Sequence, residues 1–479
     1  MAKKPLTLYN VPIHGIADRG KGVGRTAEGL PVFVEGAVPG DVVDVFVQKK
    51  KSGFAEGSLE RLVSPSPDRV DYFCQHFPVC GGCKWQNLDY TAQLRHKQQV
   101  VEDALRRIGK VEVGEFLPII GAPQTTWYRN KLEFGFANKR WLLAEELGDD
   151  SLDAEHALGF HRAGFFDKII DIQRCWLQAD PSNALRNTCR QIALEQGLSF
   201  YDMRRHTGLL RNLMVRLTTT GELMLLVSFA QADKAAIRGY LDAILEQFPL
   251  LTTLVYCINT KMNDSLFDQQ MITYQGQGYV VEKLGDLQFK IGPKSFFQTN
   301  SMQGKNLYDV AARFAGLTGQ ENVYDLYTGT GSIALYLARQ CRQVVGIEEI
   351  PEAIADAEEN MRLNQITNAI FYAGDVKNVL SAAFAERHGR PDVVITDPPR
   401  AGMHETALRF LLDLAAPRIV YVSCNPATQA RDLQLLAEKY AVLKVQPVDM
   451  FPHTHHIESV ALLELRSPFL NNPDNSHVV

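Results

Sequence analysis

Asn322-Val323-Tyr324-Asp325-Leu326-Tyr327-Thr328-Gly329-Thr330-Gly331-Ser332-Ile333-Ala334 reads as a strand, a glycine turn and the opening of a helix that continues to Arg339. Glycines in such a turn let the backbone approach a ligand closely. A second strand, Gln343 to Ile347, ends at Glu348, whose carboxylate stands where ribose hydroxyls can donate to it. That logic serves NAD and S-adenosylmethionine alike. Because Gly329-x-Gly331-x-x-Ala334 also satisfies the looser dinucleotide fingerprint, the turn by itself does not choose between them.

The neighbouring acidic residues make the choice. Asp375 follows a third strand, where it can receive an adenine amino group, and Asp397 ends a fourth, Val393-Val394-Ile395-Thr396. Asp325, Glu348, Asp375 and Asp397 thus ring one sheet edge in the order expected of class I methyltransferases. A cationic sulfonium suits such a rim, whereas a pyrophosphate is repelled by it, so S-adenosylmethionine is preferred. Beyond Phe296 strands and helices alternate with short connections, the pattern of a doubly wound parallel sheet.

The apolar run Ile419-Val420-Tyr421-Val422 leads into Ser423-Cys424-Asn425-Pro426, which places a thiol at the same carboxyl edge. Asp397-Pro398-Pro399-Arg400 invites comparison with amino-methyltransferases, but Arg400 stands where those enzymes carry a stacking aromatic, so exocyclic amine methylation is the runner-up. Carbon 5 of uracil is too poor a nucleophile to take a methyl group unaided. Addition of the Cys424 sulfur to carbon 6 makes the ring an enolate that is nucleophilic at carbon 5. A base must then remove the carbon 5 proton. Asp449-Met450-Phe451-Pro452-His453-Thr454-His455-His456-Ile457-Glu458, just before the strand Ser459 to Leu465, offers carboxylates and imidazoles, and Glu458 is the chosen base. The three histidines also read as a metal cluster or as plain surface polarity.

A chain of 479 residues predicts two or three domains. No leader pattern and no membrane-length apolar segment stands out, which predicts a cytoplasmic protein. Net charge of −5 argues against holding nucleic acid by bulk electrostatics, although Lys49-Lys50-Lys51, Arg204-Arg205-His206, and Arg95-His96-Lys97 with Arg106-Arg107 are local basic runs. Thr7 to Ile13, Val32 to Val34, Asp41 to Gln48 and Ala55 to Val63 predict a small OB-like barrel, either an RNA-binding or an assembly module. Ser64-Pro65-Ser66-Pro67 marks its end. Leu88 to Ile108 has helical spacing. Trp127 to Val281 reads as an α+β region with strands Arg211 to Thr218 and Met224 to Phe229 and a helix at Lys234 to Phe248. Asn471 to Val479 reads as a disordered tail.

Eight cysteines in such a chain favour metal binding or catalysis over disulfides. Cys74-x5-Cys80-x2-Cys83 gathers three thiolates around one centre, and a zinc site completed by His76 or Cys175 is one reading.

Taken together, the motifs resemble those of the RNA (uracil-5-)-methyltransferase family over almost the whole chain. Ser295-Phe296-Phe297-Gln298-Thr299-Asn300 looks like its Phe-Gln-x-Asn motif, and Asp325 to Gly331, Asp397 to Arg400, Ser423 to Pro426 and Asp449 to Glu458 look like its other signatures. The resemblance implies that Gln298, Tyr327, Glu348 and Asp397 line the cofactor site, joined by Asp375, with Cys424 as nucleophile and Glu458 as proton acceptor. The turn departs from many relatives at its variable positions, which leaves Ser332 in doubt as a cofactor contact. The barrel is similar to a TRAM domain. Cys175 resembles the distant fourth cysteine of members that carry a [4Fe-4S] cluster on four thiolates, here Cys74, Cys80, Cys83 and Cys175, with zinc the less favoured metal. Uracil methylation consumes no electrons, so a structural or RNA-positioning role is implied. Members with the cluster act on 23S ribosomal RNA, and those without it include transfer-RNA enzymes.

The expectation is therefore a multidomain α/β chain: an OB-like β-barrel at 1–66, an α+β central domain with the cysteine cluster at 67–290, a Rossmann-like class I methyltransferase domain at 291–470 and a tail at 471–479. The helix at about 91–110 is expected to pack with the catalytic domain. The expected function is carbon 5 methylation of uracil in RNA, most of all 23S rRNA, by a monomer without an obligate protein partner. The alternatives are a tRNA uracil-5-methyltransferase, a non-catalytic RNA-binding assembly factor and a nicotinamide-dependent oxidoreductase.

Overall fold

The computed structural model describes residues 6–143, 146–149 and 151–467, so the tail at 471–479 lies outside the described residues. The chain opens with β1 (Leu6–Ile16), β2 (Gly22–Arg25), β3 (Pro31–Glu35), β4 (Val42–Lys50) and β5 (Ala55–Ser64), closed into a barrel in the order β1-β2-β3-β5-β4. Alternate residues such as Val32 and Val34, and Val43 and Val45, fill its interior. Strand β2 escapes a propensity reading because two of its four residues are glycine. A Cβ at Gly24 would lie 2.6 Å from the Pro12 carbonyl oxygen, so close strand approach excludes larger residues there. The chain leaves the barrel at Ser64. The Asp41 carboxylate holds the exit segment by accepting the Ser66 N–H at 2.9 Å and pairing with Arg69 at 2.7 Å.

After the cysteine loop comes α1 (Tyr90–Asp103), capped by Asp89, whose side chain accepts the Thr91 and Ala92 N–H groups. One π-helical turn, Ala104–Ile108, extends it. Val101, Ala104 and Leu105 sit in a core with Leu408, Leu433 and Leu463, so this helix packs on the far C-terminal part of the chain. The following strand, β6 (Val113–Phe116), pairs in parallel with a strand more than three hundred positions later.

The central sheet has seven strands, built from β7 (Lys131–Ala137), β8 (Ala157–His161), β9 (Ile169–Asp171), β10 (Leu210–Leu217), β11 (Leu223–Phe229), β12 (Thr253–Ile258) and β13 (Ile272–Gln275) in the order β13-β12-β11-β10-β7-β8-β9. Helices α2 (Ser182–Glu195) and α3 (Lys234–Gln247) share its core through Leu185, Ile192, Tyr240 and Ile244. A hairpin, β14 (Val280–Leu284) and β15 (Leu287–Ile291), spans the boundary expected at 290/291. Its apolar residues pack with Leu307 and Val323 of the next domain.

That domain runs α4 (Ser301–Ala315), β16 (Asn322–Leu326), α5 (Ser332–Ala338), β17 (Gln343–Glu348), α6 (Pro351–Leu363), β18 (Ala369–Ala373), α7 (Val376–Val379), α8 (Ala382–His388), β19 (Val393–Thr396), α9 (Glu405–Leu414), β20 (Arg418–Ser423), α10 (Pro426–Leu436), β21 (Tyr440–Val448) and β22 (Glu458–Leu465). Its eight-stranded sheet has the order β18-β17-β16-β19-β20-β22-β21-β6. The strands from β18 to β20 are parallel, whereas β22 runs antiparallel to both neighbours. Successive residues serve opposite layers: Val323 and Val344 join one core, Tyr324 and Val345 the other. Both faces are covered, as an α/β sheet requires. Among the described residues no helix is long and apolar enough to cross a membrane.

Candidate active site

Strand order brings the acidic rim together. Reading along the carboxyl edge from β18 through β17 and β16 to β19, one meets Asp375, Glu348, Asp325 and Asp397, and β20 then presents Cys424. The turn after β16 is built for close approach. Tyr327, Gly329 and Gly331 all have positive φ, at 63°, 57° and 77°. A Cβ at Gly331 would meet Ala357 and Phe371 at 3.0 and 3.1 Å, while Gly329 faces open space. Glu348 fastens this turn to β17 by accepting the Gly329 N–H at 3.1 Å with one oxygen and the Ile350 N–H at 3.1 Å with the other.

Asp325 accepts the Thr328 hydroxyl at 2.6 Å through Oδ2, while its Oδ1 is buried without a hydrogen-bond partner. Burial, reinforced by the charges of Asp397 and Glu348, pushes its carboxyl up to about 7. Burial likewise raises Asp397 to about 6. These groups are poised to gain from a cation. Asp375 differs, because both its oxygens meet Lys377, one the backbone N–H at 3.1 Å and the other the ammonium at 2.8 Å, which keeps its pKa low. Gln298 is nearly buried in the loop before α4. Its carbonyl accepts the Asn130 amide at 3.0 Å, and the Phe296 carbonyl accepts the Thr330 hydroxyl at 3.3 Å, tying this loop to both the central domain and the glycine turn. The Ser332 hydroxyl is engaged with Tyr308 at 2.8 Å.

Beside the rim lies the thiol. Ser423 pairs with Ser459 in the antiparallel ladder of β20 and β22, so one further step sets Cys424 opposite Glu458. Gln429 pins the pair of strands by donating to the Tyr421 and Ser459 carbonyls, each at 3.2 Å. Burial, then the charges of Glu458 and Asp397, pushes the Cys424 thiol up to about 11, against the pull of the Arg400 guanidinium. Burial and Asp397 raise the Glu458 carboxyl well above its usual range, again opposed by Arg400. The Arg400 carbonyl accepts the Asn425 amide at 3.0 Å and the Thr428 hydroxyl at 3.1 Å, which knits the Asp-Pro-Pro-Arg loop to the cysteine turn.

The segment before Glu458 is a junction. Asp449 is fully buried and accepts the Lys97 ammonium at 2.6 Å and the Tyr90 hydroxyl at 2.9 Å. His453, also at positive φ, is gripped by Gln93, which accepts its N–H at 2.9 Å and meets Nδ1 at 3.1 Å. The His453 carbonyl accepts the N–H groups of Lys84 and Trp85, immediately after Cys83. Burial lowers His453 to about 4 and His456 to about 3, so both rings are neutral. Sequence spacing signalled neither the Lys97 partnership nor the grip of Gln93, since their partners are hundreds of residues away.

Cys74, Cys80, Cys83 and Cys175 line a single pocket together with His76 and walls from Phe77, Phe160, Ile172 and Trp176. All are free thiols. Burial raises all four cysteines, Cys83 to about 12, with repulsion from neighbouring thiols adding to the rise at Cys80, Cys83 and Cys175. The Gly82 N–H donates to the Cys80 sulfur at 3.4 Å. Among the described residues no three His, Cys, Asp or Glu side chains are grouped as around one metal ion.

The family described as tRNA (Uracil-5-)-methyltransferase matches residues 267–466, and the TRAM domain matches residues 6–59. A protein of Bacteroides thetaiotaomicron described as an uncharacterized RNA methyltransferase is 53% identical over 455 residues, 94% of this chain and 100% of its own. One of the same description from Porphyromonas gingivalis is 54% identical over 442 residues, 91% and 95% of the two chains. Among solved structures, the Pyrococcus abyssi tRNA (uracil-54, C5)-methyltransferase in complex with S-adenosyl-L-homocysteine matches with a TM-score of 0.72 at 28% identity, over 94% of this chain and 99% of that one.

Proposed function

The chain belongs to the RNA (uracil-5-)-methyltransferase family, and on that premise we propose that it methylates carbon 5 of a uracil in RNA through a covalent adduct on Cys424, with Glu458 as the base. It is an S-adenosylmethionine-dependent RNA methyltransferase with an N-terminal TRAM domain. The observation that carries the mechanism is the meeting of Cys424 with Glu458 beside the half-buried Asp397.

The residues fit the donor: Asp325 Oδ1 is a buried acceptor without a partner, Gly329 leaves open space at positive φ, and the rim is acidic. Gln298, Tyr327, Glu348, Asp375 and Asp397 would hold it. S-adenosylmethionine supplies an electrophilic methyl group to carbon 5 and a positive charge that favours ionised carboxyls and thiol nearby. The Cys424 thiol releases its proton to solvent and the thiolate sulfur bonds to carbon 6, which breaks the carbon 5–carbon 6 π bond and moves its electrons toward carbon 5. After carbon 5 is methylated, Glu458 takes the proton from that carbon, the electrons re-form the ring double bond, and the carbon–sulfur bond breaks to return the Cys424 thiolate. Arg400 steadies the negative charge on the thiolate.

Cys74, Cys80, Cys83 and Cys175 would hold a [4Fe-4S] cluster, with zinc the alternative. Four thiols lining one pocket are the donor type that such a cluster takes. It would supply a tether for the loop that meets His453 rather than electrons. On this cysteine set 23S ribosomal RNA is the proposed substrate, and the protein is proposed to act as a cytoplasmic monomer. The likeness to the tRNA enzyme of Pyrococcus abyssi supports transfer RNA as the second reading. A non-catalytic assembly factor has no use for a thiol and a base in register.

RNA containing 5-fluorouridine is the test, since fluorine at carbon 5 cannot be removed as a proton. The expected result is a covalent complex with the wild-type protein that is absent in Cys424→Ala. Failure to trap it with cofactor present would sink the mechanism. Mapping methylated uridines in ribosomal and transfer RNA from cells lacking the protein separates the two substrates.

A further inference from the structure

A band of aromatic rings runs from the cysteine pocket toward the segment that carries Glu458. The Phe73 ring lies 5.3 Å from that of His453 and 5.6 Å from that of Trp176, and the Trp176 ring lies 4.9 Å from that of Trp127. The exposed Arg174 guanidinium sits 4.2 Å from the Trp176 ring centre and 5.5 Å from that of Trp127. Phe73 is 40% exposed, and both indoles are partly open to solvent. Burial therefore does not account for so large an aromatic surface.

Trp127 has a second unusual property, a φ of +59°, which a bulky side chain seldom adopts. Its N–H donates to the Trp176 carbonyl at 2.8 Å, which locks the two indoles side by side. Next to it lies an open cavity lined by Gln124, Thr126, Ala179 and Asp180. Gln124 and Thr126 offer groups for base edges, whereas the Asp180 carboxylate repels phosphate and suits base amino groups. The following residues reach the segment that leads to Glu458: the Tyr128 hydroxyl donates to the Pro452 carbonyl at 3.0 Å, and the Arg129 guanidinium lies 5.0 Å from the Phe451 ring centre.

We propose that Trp127, Trp176 and Phe73, with Arg174, form a stacking platform for unpaired nucleotides flanking the methylated base. The proposal rests on RNA being the substrate. Aromatic faces joined to a guanidinium bind single strands without demanding a sequence, because every base has a π face. A uracil reaches a thiol at a sheet edge only after leaving its stack, and a platform that takes its neighbours holds the strand open.

Binding is measured by fluorescence anisotropy with a labelled single-stranded RNA of mixed sequence and with the same sequence as a duplex. Trp127 does not line the cysteine pocket, so it is the cleaner position. Trp127→Ala should weaken single-strand binding roughly ten-fold or more, Trp127→Phe should restore most of it, and Arg174→Ala should weaken it several-fold with a shallower salt dependence. In the Trp127 variants, binding of S-adenosylhomocysteine and the metal content should stay at wild-type levels. Unchanged RNA affinity in both Trp127→Ala and Arg174→Ala overturns the platform, as does a loss that only tracks lost S-adenosylhomocysteine binding. A wild-type protein that traps no 5-fluorouridine RNA defeats the proposed mechanism instead, and the anisotropy comparison still decides the platform.

Discussion

Cys424 and Glu458 stand opposite one another because Ser423 and Ser459 are paired in the ladder of β20 and β22. The nucleophile comes from a strand end and the base from a strand beginning, and antiparallel pairing is what lets the two meet. The Glu458 charge adds to burial in raising the Cys424 thiol, while burial and the Asp397 charge raise Glu458 itself.

Glu458→Gln should separate adduct formation from its resolution. With ordinary RNA and cofactor the variant should accumulate a covalent complex, visible on a denaturing gel, while turnover falls by about 10²- to 10⁴-fold. Cys424→Ala should show neither complex nor turnover. A Glu458→Gln enzyme that turns over at the wild-type rate would remove Glu458 from the mechanism.

The acidic rim sets a pH dependence of stability. Asp325 is raised to about 7 and Asp397 to about 6. A carboxyl raised in the folded state contributes stability below its unfolded pKa and loses it as pH climbs through the folded value. The ligand-free protein should therefore weaken between about pH 4 and pH 7 on account of these two groups. A bound sulfonium favours the ionised forms, so the melting-temperature gain from S-adenosylmethionine should be larger at about pH 8 than at about pH 5. Asp325→Asn should raise the ligand-free melting temperature at alkaline pH and abolish most of that gain. A gain independent of pH would count against the rim as the cation site.

Arg400 opposes the rise of the Cys424 thiol. Replacing it by Ala should move the pH profile of Cys424 alkylation to more alkaline values, read by mass spectrometry of the modified peptide. An unmoved profile would show that the guanidinium does not act on the sulfur.

The Lys97–Asp449 pair is fully buried. Lys97→Met leaves a carboxylate without its cation and should cost about 3–5 kcal/mol of folding stability in denaturant titration. Because Asp449 heads the segment leading to Glu458, the same variant should also slow 5-fluorouridine adduct formation. A loss below about 1 kcal/mol would mean that Tyr90 and water compensate for the missing ammonium.

Strand-end chemistry was readable without coordinates. The order Asp325, Glu348, Asp375, Asp397 follows from short apolar runs that each end in an acid, and parallel strands put such ends on one edge. Gly22 and Gly24 hid β2, because glycine has no strand preference of its own and the barrel needs it only for close approach. Strand β6 was hidden for another reason: its four residues become a strand only by pairing with β21.

Local patterning is enough for the barrel, the class of catalytic domain and the residue types at the sheet edge, since periodicity and turn chemistry are properties of neighbouring residues. It takes the folded chain to place β22 antiparallel beside β20, to line one pocket with four thiols, and to bring Lys97 to Asp449 across 352 positions. Those outcomes depend on burial and on strand register, which arise when distant segments compete for the same core and backbone partners.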